Sequence, residues 1–480
     1  MSGEDFRALL PLLILAATPL AVMLAVAVRR GHALAAGVSA AGHAAAFASL
    51  LWRPATLPRP VAGLLVADLY GYYYWGLLLA ASLAVTLLGH GFWKTSAERV
   101  EEFHLLVPLG TLGSAVLVSS THLVTLFLGL EILSLSLFGL IAYERSRVTS
   151  LEAGLKYLIL SSAASAFLLF GMALIYAELG SMQFRELAAA GVTGDRSVLL
   201  LAGLGLLVAG LGFKLSLVPF HLWTPDVYQG APAPVSAFIA TVSKAGVLGL
   251  LLRFFIETGT GELPAVTLLL SLVALASMYA GNLLALLQSN LKRLLAYSSI
   301  SHLGYALVAL VVPGVAGPEA ATFYITAYVV TILAAFGVVT ALSTASHEAE
   351  WLEHYRGLFW RRPLMGATLT AALLSLAGIP LTAGFLGKFL VVAAGVSALL
   401  WVLVISVVVT STIGLFYYLR VLVAVYAAPE ADTPAPAVGR LPVAAAATLA
   451  ALVFALVWLG VYPTGLIDAI RDASASLTRF

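Results

Sequence analysis

Apolar runs of about 20 residues recur from the start of the chain almost to its end, separated by short polar stretches. The runs at 6–28, 33–52, 70–92, 104–119, 121–142, 154–178, 198–220, 231–256, 265–288, 294–313, 319–343, 364–394, 398–425 and 442–462 each have the length of a spanning helix. They predict an all-α polytopic membrane protein of about 14 transmembrane helices. The division between the fourth and fifth runs rests on the weak break Ser119, Ser120, Thr121 and His122. With that division, both termini lie on the same side. The start of the chain lacks the basic stretch of a secretory signal, so the first run is expected to be retained as a helix.

Two segments fall outside the spanning pattern. Residues 347–362 are polar with Trp351, Tyr355, Phe359 and Trp360 interleaved, which predicts a short interfacial helix. Residues 427–436 are rich in Ala and Pro and read as a flexible linker. Trp52, Trp75, Trp93, Trp351, Trp360 and Trp401 fall near run ends, as an aromatic belt requires.

Composition agrees with a membrane chain. Of 480 residues, 61% are hydrophobic and 10% charged, with a mean hydropathy of +1.02. Soluble domains carry about 25% charged residues. The net charge of +2 says little about partners. The distribution of Lys and Arg says more: of 25, fourteen fall in odd-numbered loops, eight in the termini and even-numbered loops, and three inside the membrane. This bias puts the odd loops in the cytoplasm and both termini outside. With no cysteine, the chain has no disulfide, no thiolate metal site and no iron–sulfur cluster of its own.

Four ionisable residues interrupt the apolar runs: Glu131, Lys214, Lys244 and Lys388. A charge in hydrocarbon costs about 2.5–3.5 kcal/mol, so such residues face protein or water and mark ion or proton routes. Two runs are also broken by proline, at Phe213–Pro219 and at Gly378–Leu381, with the prolines 161 residues apart. The broken runs are the seventh and twelfth. A unit of five helices repeated once must be inverted, and paired interruptions of this kind point to a transporter site. Each proline frees the carbonyl four residues back, here of Leu215 and Leu376, which then needs water or a side chain.

Glu131 is the natural carboxylate to modulate Lys214. Burial disfavours the charged amine and a nearby carboxylate restores it, so a lysine moving between the two situations can take up and release a proton. A static buried Lys–Glu pair is the alternative. Lys244 shares its helix with Ser236, Ala240 and Ser243, which leave room for water or permit close helix packing. Ser298, Ser301, His302 and Tyr305 form one polar stripe. His302 is suited to relay a proton between Lys244 and Lys388, or is a packed histidine. Tyr324, Tyr328 and Thr331 share a face that reads as aromatic core. His221 and Asp226 are candidates for proton uptake at the cytoplasmic end of the seventh run. The glycine pairs at Gly203 to Gly205 and Gly210 to Gly212 have no strand before them and serve helix packing, not dinucleotide binding. Neither a phosphate loop nor a zinc-type ligand spacing nor a basic nucleic-acid patch is present. No cofactor or metal is therefore expected in this chain.

The stretch from Phe213 through Lys214, Pro219, His221, Trp223, Pro225, Asp226 and Tyr228 to Pro232 resembles the hallmark of the subunit N family of bacterial respiratory complex I, the NADH–quinone oxidoreductase. Similar agreement appears at Gly129 to Glu131, Glu152 to Tyr157, Ala240 to Lys244, Asn290 to Tyr305 and Gly378 to Phe389. The resemblance implies the antiporter-like fold, with residues 1–103 as N-terminal helices, 104–256 and 265–425 as two inverted five-helix repeats, and 426–480 as linker and last helix. It implies that Glu131, Lys214, Lys244 and Lys388 are the proton-path residues, with His302, His221, Asp226 and Tyr305 as secondary relays. It further implies a bacterial inner membrane with both termini periplasmic. Expected neighbours are a second antiporter-like subunit and a small three-helix subunit. NADH, FMN, iron–sulfur clusters and quinone are expected in other subunits. Nothing after Pro463 has the length of the lateral helix of the distal antiporter-like subunit. The rival readings are a subunit of a multisubunit sodium/proton antiporter and a non-pumping scaffold.

Overall fold

The computed structural model describes residues 2–54, 56–94, 100–191, 197–345, 347–428 and 441–477. A short α1 (Gly3–Ala8), capped by Ser2, leads into α2 (Leu10–Val28) and α3 (His32–Ser49). An antiparallel ribbon of β1 (Arg59–Val61) and β2 (Leu65–Ala67) then pairs Arg59 with Ala67. The helices α4 (Leu69–Trp93), α5 (Phe103–Val118), α6 (Leu123–Ile141), α7 (Val148–Leu179) and α8 (Phe184–Gly191) follow. Next come α9 (Val198–Lys214), α10 (Trp223–Gly230), α11 (Ala233–Phe238) and α12 (Lys244–Thr258). The second half contains α13 (Pro264–Leu286), α14 (Leu291–Leu310), α15 (Ala316–Leu342), α16 (Leu358–Arg361), α17 (Pro363–Ala377), α18 (Ala383–Ser397), α19 (Trp401–Tyr426), α20 (Val443–Val461) and α21 (Thr464–Leu477).

Among the described residues, ten helices are long and apolar enough to cross a membrane, and α5, α9, α17 and α18 are shorter apolar helices. The chain is an all-α membrane protein. The rod Ala233–Thr258 is wholly buried and α15 nearly so, whereas α2, α3, α7, α13, α19 and α20 each turn a broad apolar side outward. The bundle therefore has an interior that no lipid reaches, and that is where polar side chains are affordable.

Both proline-bearing runs are interrupted. After Lys214 the backbone leaves the helix, with Ser216 left-handed at φ +62, and helix resumes only at Trp223. In the second run, Gly378 ends α17 at φ +85, its N–H donating to the Leu374 carbonyl, and Thr382 caps α18. At Gly384 a side chain would collide with the Ser375 carbonyl, so glycine is what lets α18 lie against the end of α17. The rod Ala233–Thr258 carries one π-helical turn, Ile239–Ser243, immediately before Lys244. Turns of this kind concentrate at functional positions.

Several expectations change. Residues 347–362 do not form one interfacial helix. Gly357, at φ +67, and Pro363 divide them into a turn at Leu352–Tyr355 and the single turn α16, and Tyr355 and Leu358 are buried. Trp75 and Trp93 belong to the core and not to an aromatic belt, and the Trp75 indole donates to the Ala115 carbonyl. Residues 429–436 of the expected linker lie outside the described residues, as do Arg99, Arg196, Arg440 and Arg479 of the charge tally. Lys292 and Arg253, both counted with the loop cations in the Lys and Arg tally, are buried, Lys292 against Glu348 and Arg253 inside α12.

The Arg253 guanidinium binds Asp68 at 2.8 Å and Glu257 at 2.7 Å, donates to the Val118 carbonyl at 2.6 Å, and lies over the Tyr70 ring. Asp68 also caps α4 by accepting from the Gly71 N–H. One buried cation thus ties α4, α5 and α12 together. Breaking such a pair by removing one partner leaves uncompensated buried charge. Arg253→Met is expected to destabilise the chain by about 3–5 kcal/mol in a denaturant titration in detergent. A loss below about 1 kcal/mol would show that Asp68 and Glu257 do not depend on it.

Candidate functional site

Lys214 ends α9 and is buried. Its ammonium donates to three hydroxyls: Ser134 of α6 at 2.7 Å, and Tyr157 and Ser161 of α7 at 3.1 and 2.7 Å. Glu131 makes no direct bond to it. Instead Glu131 accepts from Ser165 of α7 at 2.6 Å and is half-buried. Ser134 is three residues beyond Glu131, and Ser165 is four beyond Ser161, so each helix presents its polar pair on one face. The carboxylate and the ammonium are separated by a layer of hydroxyls. Of the two readings open from sequence, the static contact pair is the one this geometry disfavours.

An ammonium has three donors and no acceptor, and three oxygens satisfy it. A neutral amine has two donors and a lone pair. A hydroxyl can turn from accepting to donating, so an all-hydroxyl cage suits both protonation states of Lys214.

Lys244 is fully buried and has one hydrogen-bond partner, the Ser299 hydroxyl at 2.6 Å, with its ammonium 5.6 Å from the centre of the Tyr228 ring. Neither Ser236 nor Ser243 bonds to it: Ser236 spends its hydroxyl on backbone carbonyls of the preceding turn. Ser299 lies one residue off the stripe expected from sequence. It continues to the Tyr328 hydroxyl at 2.6 Å. Beyond Tyr328 lies a cavity of about 10 Å³, lined by His302, Tyr324, Tyr328, Thr331, Ser375 and Leu376 among others. That is close to the space a single water needs, and the lining supplies polar partners. On its far side Thr331 and Ser375 are bonded at 2.9 Å, and the Leu376 carbonyl accepts from Lys388 at 2.8 Å. Tyr324 and Tyr328 pack in the apolar core, as expected, and their hydroxyls, with that of Thr331, also join the polar network.

Lys388, in α18, uses its three donors on the carbonyls of Leu376 and Ala377 and on the Ser411 hydroxyl at 2.6 Å. The side chain fills the break, satisfying the very carbonyl that Pro380 frees. Its ammonium is 5.4 Å from the centre of the Tyr305 ring. Tyr305 itself accepts from Asn282 at 3.0 Å. His302 touches neither lysine. It is held by the Tyr324 hydroxyl at 2.6 Å and the Tyr418 hydroxyl at 3.2 Å, with Ser298 bonded to Tyr418. Its place is beside the cavity, between the two lysines.

Between the Lys214 and Lys244 regions runs α10, whose Trp223 packs 5.0 Å from Tyr157 and whose Tyr228 lies beneath Lys244. Asp226 of α10 is not free: it pairs with Lys156 at 2.9 Å and Arg293 at 2.7 Å. His221 is buried with its Nδ1 unpartnered among the described residues. Nearby in the same end of the bundle, Glu348 binds Lys292 at 2.5 Å and Arg147 at 2.9 Å. Burial works against the Arg147 cation, but Glu348 and Glu144 outweigh it and hold its pKa above the usual guanidinium value.

The residues that sequence reasoning missed are Ser134, Tyr157, Ser161, Ser165, Ser299 and Ser411. A signal existed for three of them: Tyr157, Ser161 and Ser165 recur at four-residue steps, one row on the face of α7.

Residues 120–414 match the family of NADH:quinone oxidoreductase and Mrp antiporter transmembrane proteins. The chain is 49% identical, over 98% of its length and 97% of the relative's, to NADH-quinone oxidoreductase subunit N of Ectopseudomonas mendocina. Among solved structures it is similar to a chain of respiratory complex I from Thermus thermophilus, with 36% identity, 96% of this chain and 99% of that chain covered, and a TM-score of 0.83. It also shares a fold with a chain of the Mrp complex from a Dietzia species, at a TM-score of 0.87 and 22% identity, with 100% of this chain and 98% of that chain covered.

The two ends of the Ser299 bridge differ in what they support. Ser299→Ala strips Lys244 of its hydrogen-bond partner and is expected to cost about 1.5–3 kcal/mol, while Tyr328→Phe removes one neutral bond and should cost about 0.5–1.5 kcal/mol. Denaturant unfolding of the two variants in detergent checks the order; equal losses would mean that Lys244 does not rely on Ser299.

Proposed function

The chain belongs to the NADH:quinone oxidoreductase/Mrp antiporter transmembrane family, and on that premise we propose that it is an antiporter-like, proton-translocating subunit in the membrane arm of an NADH–quinone oxidoreductase. The observation that carries the reading is the solvation of its three inner lysines. Lys214, Lys244 and Lys388 rest on hydroxyls and carbonyls, and among the described residues none forms a direct ion pair. A directly paired lysine keeps its proton. One held by neutral oxygens gives it up more readily, because burial penalises the charge and no carboxylate offsets it at contact.

In this reading quinone is reduced elsewhere in the complex, where NADH, FMN and iron–sulfur clusters also reside. The resulting change in charge reaches Glu131 and, across Ser165, Ser161 and Ser134, alters the proton affinity of Lys214. Protons taken up on the cytoplasmic side, past His221 and Asp226, pass through Lys244, Ser299 and Tyr328 to a water beside His302, and then by Ser375 to Lys388, with Tyr305 beside it. Release is outward. Lys214 and Lys388 hold equivalent places in two inverted repeats, 104–256 and 265–425. The chain sits in a bacterial inner membrane with both termini periplasmic, beside a second antiporter-like subunit and a small three-helix subunit.

A subunit of a multisubunit sodium/proton antiporter is the second reading. It rests on shared fold at 22% identity, against 49% for the subunit N relative. A scaffold that only braces the arm is the third.

Lys214→Met and Lys388→Met, each in the intact complex in sealed vesicles, separate these. Both are expected to lower the number of protons moved per electron while NADH oxidation by soluble acceptors persists. Glu131→Gln should act in the same direction and less strongly, since it reaches Lys214 through hydroxyls. Undiminished pumping in both lysine variants would remove those residues from the path, and failed assembly with normal coupling in the residual complex would favour the scaffold.

A further inference from the structure

A cluster of three histidines lies outside the lysine chain and outside the ion pairs. His32 opens α3, His90 lies in the last turn of α4 and His104 in the first turn of α5. The Nε2 atoms of His32 and His104 are 3.1 Å apart, and the His32 and His90 rings are centred 4.6 Å apart. One ring nitrogen from each of the three falls within 4.8 Å of the others. His104 is fully buried; the other two are half-buried. Just before α5, Glu101 is buried, with one carboxylate oxygen unpartnered among the described residues. The Nδ1 atoms of His90 and His104 are unpartnered too. Beside Glu101 opens a cavity of about 460 Å³ bordered by Glu102, Arg30 and apolar residues of α2.

We propose that His32, His90 and His104 form a binding site for a divalent transition-metal ion of the zinc class, with Glu101 as the adjacent carboxylate. Imidazole nitrogen is a preferred donor for zinc, copper and nickel and a poor one for magnesium or calcium. At a Zn–N distance of about 2.0–2.1 Å, tetrahedral ligand atoms stand roughly 3.3 Å apart. The His32–His104 separation already has that scale, and His90 needs to close in by at most about 1.5 Å. Three helices hold the ligands, so the site is preorganised by packing.

Packing alone accounts less well for the cluster. Two neutral imidazoles can share one N–H···N bond, which leaves the third ring and a buried carboxylate oxygen without partners. Each unmade bond of this kind costs about 1–3 kcal/mol. A dication on three neutral imidazoles gives the Glu101 carboxylate an adjacent positive charge, and a cavity bordered by Glu101 and Glu102 opens beside Glu101. The ligands are 58 and 14 residues apart, which is why no zinc-type spacing is visible along the chain.

The full-length chain in lipid nanodiscs, stripped with EDTA, is titrated with Zn²⁺ against a chromophoric zinc indicator. One Zn²⁺ per chain is expected, not displaced by excess Mg²⁺. His104→Gln and His32→Gln should each weaken it by roughly tenfold or more. His32 is half-exposed, so its variant retains the fold, which a size-exclusion profile identical to wild type verifies. Zinc-edge X-ray absorption should show imidazole scattering with a first shell at about 2.0–2.1 Å. Equal Zn²⁺ affinity in wild type and His32→Gln, or a first shell without imidazole, overturns the proposal. Neither result bears on the lysine path, which the pumping measurements test separately.

Discussion

An ammonium group inside a hydrocarbon-facing bundle must find oxygen, and the rest of this structure follows from how it finds it. Lys214, Lys244 and Lys388 are each buried within the bundle. Their partners come from Ser134, Tyr157, Ser161, Ser299 and Ser411, and from carbonyls that the break between α17 and α18 leaves open. The breaks, the interior placement of the Ala233–Thr258 rod and α15, and the glycine at 384 all serve to bring those oxygens to the lysines without exposing backbone to lipid.

The same chain solves the problem of buried charge in a second way. Arg253 with Asp68 and Glu257, Lys292 with Glu348, and Arg293 with Asp226 are direct ion pairs. These join helices at the bundle ends, and removing one partner would leave the other's charge uncompensated. Lys292 and Lys244 make the contrast plain: both are fully buried lysines, but one faces Glu348 at 2.5 Å and the other a serine at 2.6 Å. Direct pairs build the frame, and hydroxyl-solvated lysines occupy its middle.

Much of this was legible in the sequence, and the limits are physical. Charges inside apolar runs are costly enough to stand out, so Glu131, Lys214, Lys244 and Lys388 were visible at once. The proline breaks located the freed Leu376 carbonyl, and the structure places Lys388 on it. Serine and tyrosine are a different matter. A hydroxyl in a transmembrane helix can bond its own backbone four residues back, as Thr326 and Thr410 do, and pattern alone does not distinguish that from a bond across helices. Ser299 lies beside the stripe, and Tyr328 is a core residue whose hydroxyl also meets Ser299; a stripe predicts a face and not which neighbour meets it. Arg253 misled for the opposite reason: near a helix end, a charged residue reads as a loop until its partners, 185 residues away in Asp68 and one turn on in Glu257, are known.

The three lysine sites differ in the oxygens that hold them, and on the proposed path that difference sets how each accommodates losing a proton. Around Lys214 every partner is a hydroxyl, so any one can turn and donate to the neutral amine. At Lys388 two of three partners are carbonyls, which only accept; the neutral amine keeps both of those bonds, and only Ser411 needs to turn. Lys388 also closes the break between α17 and α18, so its bonds are coupled to the geometry of that break. Lys244 has a single hydroxyl and an aromatic face, and is the least well solvated of the three when charged. On the proposed path, a proton on Lys244 has better-solvated neighbours in Lys214 and Lys388, so the poorly solvated middle site favours passage over rest, with Glu131 reaching the Lys214 cage through Ser165.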